Sequence, residues 1–151
     1  TTLELAKLLK DANNLTVVTN DLQIALELQR HQGIYLIFLG GHVRNYFECT
    51  VGSMGLKFLE NLSADKAFMS ANALSLAKGA TTPNLEQAEI KKEMMGIAER
   101  KYLICDSSKI GKRTICSYAK AEEFHRLITD AQIPDHAKEA LEKQGIEVVC
   151  S

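Results

Sequence analysis

The chain has 151 residues, of which 46% are hydrophobic and 25% charged, an ordinary balance for a globular protein long enough to bury a core. With a net charge of −1, a pI near 6.4 and no basic run, it is a poor nucleic-acid binder by itself. No stretch reaches transmembrane length and no signal peptide opens the sequence, so no membrane partner and a cytoplasmic location are expected.

The first residues, TLELAKLLKD, place Leu5, Leu8 and Leu9 on one face of an amphipathic helix. That pattern is already running at Thr1, so the chain reads as a fragment. Asn13-Asn14 break it, and the β-branched run Leu15–Val18 forms a strand ending at Thr19-Asn20. Asn20 or Asp21 can cap a helix over 22–30, which Gly33 stops. A buried strand over 34–39 ends on Gly40-Gly41-His42-Val43-Arg44, and a further amphipathic helix fits 53–61. Lys66–Met69 reads as a strand closing on Ser70-Ala71-Asn72.

A polar loop carrying Lys78-Gly79-Ala80-Thr81-Thr82-Pro83 then leads into a long helix over about 84–99. Tyr102–Cys105 is apolar and too short for a helix, so it reads as a buried strand, and it runs straight into Asp106-Ser107-Ser108-Lys109. A strand candidate at 114–117, a short helix near 120–125 and the run Arg126–Asp130 follow. Pro134-Asp135 opens a last helix, Gly145 ends it, and Ile146–Cys150 is the final strand. Helix and strand alternate with short connections, the pattern of an α/β sandwich with a mostly parallel sheet. Thr19-Asn20, Gly40-Gly41, Ser70–Asn72, Asp106-Ser107 and Thr129-Asp130 each follow a strand directly. Carboxyl ends of parallel strands are where open α/β sheets hold ligands, and five small or polar tips suit the wall of a site.

Each motif has two readings. Asp106, Ser107 and Lys109 either contact a ligand or cap a turn. Gly40-Gly41 with Arg44 either lets backbone and guanidinium approach a phosphate or carboxylate, or is a glycine turn with a solvated arginine. Gly79 with Thr81 and Thr82 either receives an anion or starts a helix. Glu86, Glu89, Glu93, Lys91 and Lys92 read most simply as a solvated charged face, and Met94-Met95 as core. His31, His42, His125 and His136 lack metal-ligand spacing, so no metal and no cofactor are expected. Cys49, Cys105, Cys116 and Cys150 form no Cys-x-x-Cys pair, and the apolar runs around Cys105 and Cys150 suggest buried reduced thiols.

In this order LTVVTN, LGGHVR, VG, ADKAFMSAN, GATTPNLEQAEIKKEMM, YLICDSSKIGK and LITD resemble the C-terminal sensor domain of the DeoR family of bacterial sugar-metabolism regulators. The resemblance covers almost all of the chain, and the ordered set is specific although each piece is not. It implies a Rossmann-like three-layer fold similar to ribose-5-phosphate isomerase and the CoA transferases, and a non-catalytic pocket for a phosphorylated sugar or related metabolite. Residues 1–151 are then an effector-sensing domain. The winged helix-turn-helix that binds operator DNA in complete regulators is absent, and so are the first strand and the glycine of a loop of which only Thr1-Thr2 remain.

The ligand-binding positions the resemblance implies are Thr1, Thr2, Thr19, Asn20, Gly40, Gly41, Arg44, Asn72, Gly79, Thr81, Thr82, Asp106 and Lys109. Asn72-Ala73 departs from the Asp-Gly of many members, exchanging a carboxylate for an amide. A homo-oligomer is expected, as for regulators that read symmetric operators. The alternative function is a sugar-phosphate isomerase, for which Asp106, Glu89 and Lys78 would have to converge on one carbon.

Overall fold

The computed structural model describes residues 1–151, which divide into two compact units, Thr1–Asn61 and Leu62–Ser151. The chain is α/β with a mostly parallel, Rossmann-like sheet flanked by helices.

In the first unit, helix α1 (Thr2–Lys7) tightens into a 3-10 turn over Leu8–Asp11. Strands β1 (Leu15–Thr19) and β2 (Ile34–Phe38) pair in parallel, from Leu15 opposite Ile34 to Thr19 opposite Phe38. A parallel pair needs a crossover, and α2 (Leu22–Leu28) supplies it. Of the two possible caps it is Asp21 that acts, its carboxylate accepting from the Ile24 N–H at 3.0 Å. Ala6, Leu28 and Ile34 are buried together, with Val17, Ile24 and Leu36 packed around them.

The sequence carries no signal for an element between Gly41 and Ser53, yet this segment is paired. β3 (His42–Arg44) and β4 (Cys49–Val51) form an antiparallel hairpin, followed by α3 (Ser53–Leu59). Its turn places Tyr46 and Glu48 at φ of 65° and 49°. Asn and Gly usually occupy such positions, so the sequence carries no strong hairpin signal there.

In the second unit, β5 (Ala64–Met69), β8 (Ala98–Ile104), β10 (Arg126–Thr129) and β11 (Glu147–Cys150) form one sheet in the order β11-β10-β8-β5, every pair parallel. Between them in sequence, β6 (Ala73–Ser75), β7 (Gly79–Thr82) and β9 (Cys116–Ala119) make a separate antiparallel sheet. The Lys78–Pro83 stretch expected as a loop is therefore largely a strand, and Thr81 and Thr82 are buried in it. Small and hydroxyl side chains give it no apolar run to recognise.

Helix α4 (Leu85–Gly96) begins at Asn84, whose side chain accepts from the Gln87 N–H at 2.9 Å, and it buries Ala88, Ile90 and Met95. It is shorter than expected because β8 already starts at Ala98. Glu99, Arg100 and Lys101 extend that strand beside β5 despite their charge. The core gathers Leu74, Leu103, Phe124, Leu127, Leu141 and Ile146, with Tyr118 edge-on to Phe124 at 6.5 Å. Helix α5 (Asp135–Lys143) is stopped by Gly145 at φ 88°. Cys105 is buried as expected, but Cys150 is exposed, because the short final strand lies at the sheet edge.

Candidate functional site

The parallel register of the second unit puts the carboxyl ends of β5, β8 and β10 at one edge, since Met69 faces Leu103 and Leu103 faces Leu127. The chemistry begins where each strand stops.

After β8, Asp106 caps a 3-10 turn over Ser107–Lys109, its Oδ1 accepting from the Ser108 N–H at 3.1 Å and from the Ser108 hydroxyl. The hydroxyl contact is the main reason its carboxyl is held below the ordinary range. After β10, Asp130 reaches across, its Oδ2 accepting from the Ser107 N–H at 2.7 Å and its Oδ1 from the Gln132 N–H at 2.9 Å. The bond from Ser107 leads in keeping its acidity high. The Asp130 carboxylate thus stitches two neighbouring tips together, while that of Asp106 holds its own turn.

Lys109 closes the turn and is half-buried. Gly111, at φ 80°, donates its N–H to the Leu74 carbonyl at 2.8 Å, so the loop folds back over β6. Burial pushes the neighbouring Cys105 thiol up to about 12, which keeps it protonated and a poor nucleophile.

After β5, the Ser70 carbonyl accepts from Lys91 Nζ at 2.5 Å and from the Tyr118 hydroxyl at 3.0 Å, and the ammonium lies 5.1 Å from the centre of the Tyr118 ring. Two residues on, the exposed Asn72 donates its backbone N–H to the Thr81 carbonyl at 3.1 Å. Its Oδ1 lies 3.0 Å from the Thr82 hydroxyl, which is also 2.8 Å from Gln87 Oε1.

The other two members of that motif have structural work. Thr81 donates its hydroxyl to the Ala73 carbonyl at 3.1 Å and accepts from the Thr114 N–H at 2.9 Å. Gly79 sits at φ 75°, and a Cβ there would fall 2.1 Å from the Ala119 carbonyl oxygen, so only glycine lets β7 approach β9.

In the first unit, Thr19 is buried and its hydroxyl accepts from the Asp21 N–H at 3.1 Å. Asn20 donates from Nδ2 to the Thr50 carbonyl at 2.7 Å. The Thr50 hydroxyl in turn donates to the Leu39 carbonyl at 2.5 Å. These bonds join the tips of β1 and β2 to β4. Gly40 is exposed with open space where a Cβ would stand, whereas a Cβ on Gly41, at φ 146°, would meet the Val51 carbonyl oxygen at 2.3 Å. Arg44 sits on β3 with its guanidinium carbon 3.6 Å from the centre of the Phe47 ring. Thr1 caps α1 through its backbone carbonyl, which accepts from the Glu4 N–H at 3.1 Å, and Thr2 is the first helical residue.

Within the second unit, then, the tip carrying Asp106 and Lys109 is bonded to the neighbouring tip by Asp130, while Asn72 and Thr82 meet Gln87. Lys78 and Glu89 are both exposed, Lys78 in the β6–β7 connection and Glu89 on α4. Gln87 and Tyr118 are absent from the expectations drawn from sequence. Lys91, which the sequence places on a solvated charged face, is half-buried against a carbonyl and a ring. Gln87 and Lys91 stand one helical turn apart on α4, the signal that could have singled them out.

No helix is long and apolar enough to cross a membrane. The family model described as the DeoR C terminal sensor domain matches residues 1–131. The chain is 30% identical over 99% of its length to the putative aga operon transcriptional repressor of Escherichia coli O157:H7, covering 55% of that protein. It is 32% identical over 99% to the HTH-type transcriptional regulator GlpR of Haloferax volcanii, and 36% over 99% to the lactose phosphotransferase system repressor of Staphylococcus aureus, covering 58% and 59% of them. It thus spans a little over half the length of these relatives. A match of this extent to the family model, carried through the same strand tips, makes the chain a member of the DeoR C-terminal sensor domain family.

Proposed function

We propose that the chain is the effector-sensing part of a transcriptional repressor, and that it binds a phosphorylated sugar or a related metabolite. The observation that carries this reading is the pair of polar strand tips in the second unit. Lys109 offers a cation suited to an anion, and Asn72 offers an exposed amide suited to sugar hydroxyls. Within the second unit the same proposal takes in Asp106, Gly79, Thr81 and Thr82, and in the first unit, taken by itself, Thr1, Thr2, Thr19, Asn20, Gly40, Gly41 and Arg44 are the candidate ligand contacts. Of these, Thr81 and Gly79 act as scaffold for the neighbouring strands. Residues 1–151 form the sensing domain, and operator DNA is contacted by a separate N-terminal domain of the complete regulator, which works as a homo-oligomer. Effector binding shifts the population between DNA-competent and DNA-incompetent forms through different affinities for the two.

Binding rather than turnover is favoured by the acid–base character of the site. Asp106 is held at low pKa by its hydrogen bonds, whereas a general base works best with a pKa near the operating pH. The test is a thermal-shift screen of the 151-residue chain against ribose 5-phosphate, glucose 6-phosphate, fructose 1-phosphate and inorganic phosphate, with isomer formation followed in parallel. Selective stabilisation without isomerisation is expected. Absence of any shift with the three sugar phosphates, or turnover of one of them, would overturn the reading.

A further inference from the structure

The hydroxyl of Thr82 is wholly buried and stands between two carboxamides, 2.8 Å from Gln87 Oε1 and 3.0 Å from Asn72 Oδ1. A hydroxyl has one proton, so it donates to only one of them. The other amide must present its NH2 group to the Thr82 oxygen, and a carboxamide turned by half a rotation fills the same space. The shorter contact gives the proton to Gln87. Asn72 then donates from its NH2 to Thr82 and turns its carbonyl oxygen outward. Asn72 is the exposed member of the three, so this choice decides whether the site shows a ligand an acceptor or a donor.

We propose that Gln87 is a specificity-determining positioning residue, which acts through the Thr82 hydroxyl to make Asn72 present its carbonyl oxygen to a hydroxyl of the effector. This rests on the reading of the site as a sugar-phosphate pocket. Neither Thr82 nor Gln87 needs to touch the effector. Their work is to remove the ambiguity of an amide, which an isolated asparagine cannot do for itself. An acceptor at position 87 is the requirement. Gln87→Glu satisfies it, and Gln87→Leu does not, since the Thr82 proton then passes to Asn72 Oδ1 and Asn72 shows its NH2 group instead.

Two measurements on the 151-residue chain test this. In nitrogen-labelled protein, one Asn72 side-chain amide proton should exchange slowly in wild type and Gln87→Glu, and both should exchange fast in Gln87→Leu. In calorimetry with glucose 6-phosphate, ribose 5-phosphate and their single-deoxy analogues, wild type should lose about five- to tenfold in affinity at one deoxy position, the worth of a neutral hydrogen bond. Gln87→Glu should keep that ratio even if its charge weakens all phosphates, and Gln87→Leu should bring it below twofold. A residue that served only packing would give the reverse order, because leucine is neutral and glutamate is not. If Gln87→Leu keeps the ratio, or the Asn72 amide behaves alike in all three proteins, the inference fails while the sensing assignment stands. If wild type binds none of ribose 5-phosphate, glucose 6-phosphate and fructose 1-phosphate, the sensing assignment fails and takes the inference with it.

Discussion

Removing Lys91 should destabilise the second unit, and by an amount that depends on Tyr118. The Ser70 carbonyl at the end of β5 has two donors, the Lys91 ammonium at 2.5 Å and the Tyr118 hydroxyl at 3.0 Å. A hydrogen bond to a charged group contributes about 1.5–3 kcal/mol and a neutral one about 0.5–1.5 kcal/mol. Because either donor alone still satisfies the carbonyl, each single loss should fall toward the lower end of its range. Lys91→Met, which keeps the apolar stem against the Tyr118 ring, should cost about 1.5 kcal/mol, and Tyr118→Phe about 0.5–1 kcal/mol. The double variant leaves the carbonyl with neither donor and so adds a desolvation penalty of about 1–2 kcal/mol beyond the sum. For a chain of this size, about 1 kcal/mol moves the melting temperature by roughly 2–4 °C. Lys91→Met should therefore melt about 3–6 °C lower, and the double variant well below the additive value. Chemical denaturation of the four proteins completes the cycle. Strict additivity would refute the idea that the two donors substitute for each other at Ser70.

Lys109→Ala should weaken binding of whichever sugar phosphate stabilises the chain by about 1.5–3 kcal/mol, with the melting temperature of the free protein little changed. Unchanged affinity in calorimetry would remove Lys109 from the anion site. Asp106 and Asp130 both have carboxyls held below the ordinary value, so their contribution is complete above that value and disappears as pH falls through the folded-state pKa. Melting temperature should accordingly show no effect of these two groups between pH 8 and pH 5, decline in the acid range, and decline less steeply in Asp130→Asn. An acid limb unaltered by that substitution would mean the Ser107 bond carries no linkage. Gly41→Ala must displace the Val51 carbonyl at 2.3 Å from a positive φ, and should cost more than about 1 kcal/mol, whereas Gly40→Ala enters open space and should be nearly neutral. Equal melting temperatures for the two alanine variants would show that the β3–β4 hairpin yields without cost.

Particular residues show which parts of this protein are legible in sequence. The apolar runs at 15–18, 34–39, 66–69 and 102–105 marked strands because they are rich in β-branched and aromatic residues and too short for helices, although the run at 34–39 is not buried as expected: Tyr35 and Phe38 are exposed, as is Phe68. The hairpin at 42–51 escaped because its turn uses Tyr46 and Glu48 at positive φ in place of glycine or asparagine. β7 escaped because Gly79, Ala80, Thr81 and Thr82 are small or hydroxylated and are held by the adjacent β6 on one side and the distant β9 on the other. The charged start of β8 escaped because its pairing with β5, not its own hydrophobicity, extends the strand.

By itself the sequence determined the alternation of helices and strands, the α/β class and the polar character of the strand tips, since these follow from local periodicity and from what can end a buried strand. Only the tertiary structure decided what each tip does. It assigned Thr81 and Gly79 to scaffolding, tied Asp130 to Ser107, and set Lys91 and Tyr118 on one carbonyl and Asn72, Thr82 and Gln87 on one proton. A hydrogen bond depends on distance and direction between atoms, and residues as far as 48 positions apart in the chain acquire both only when the strands between them have paired.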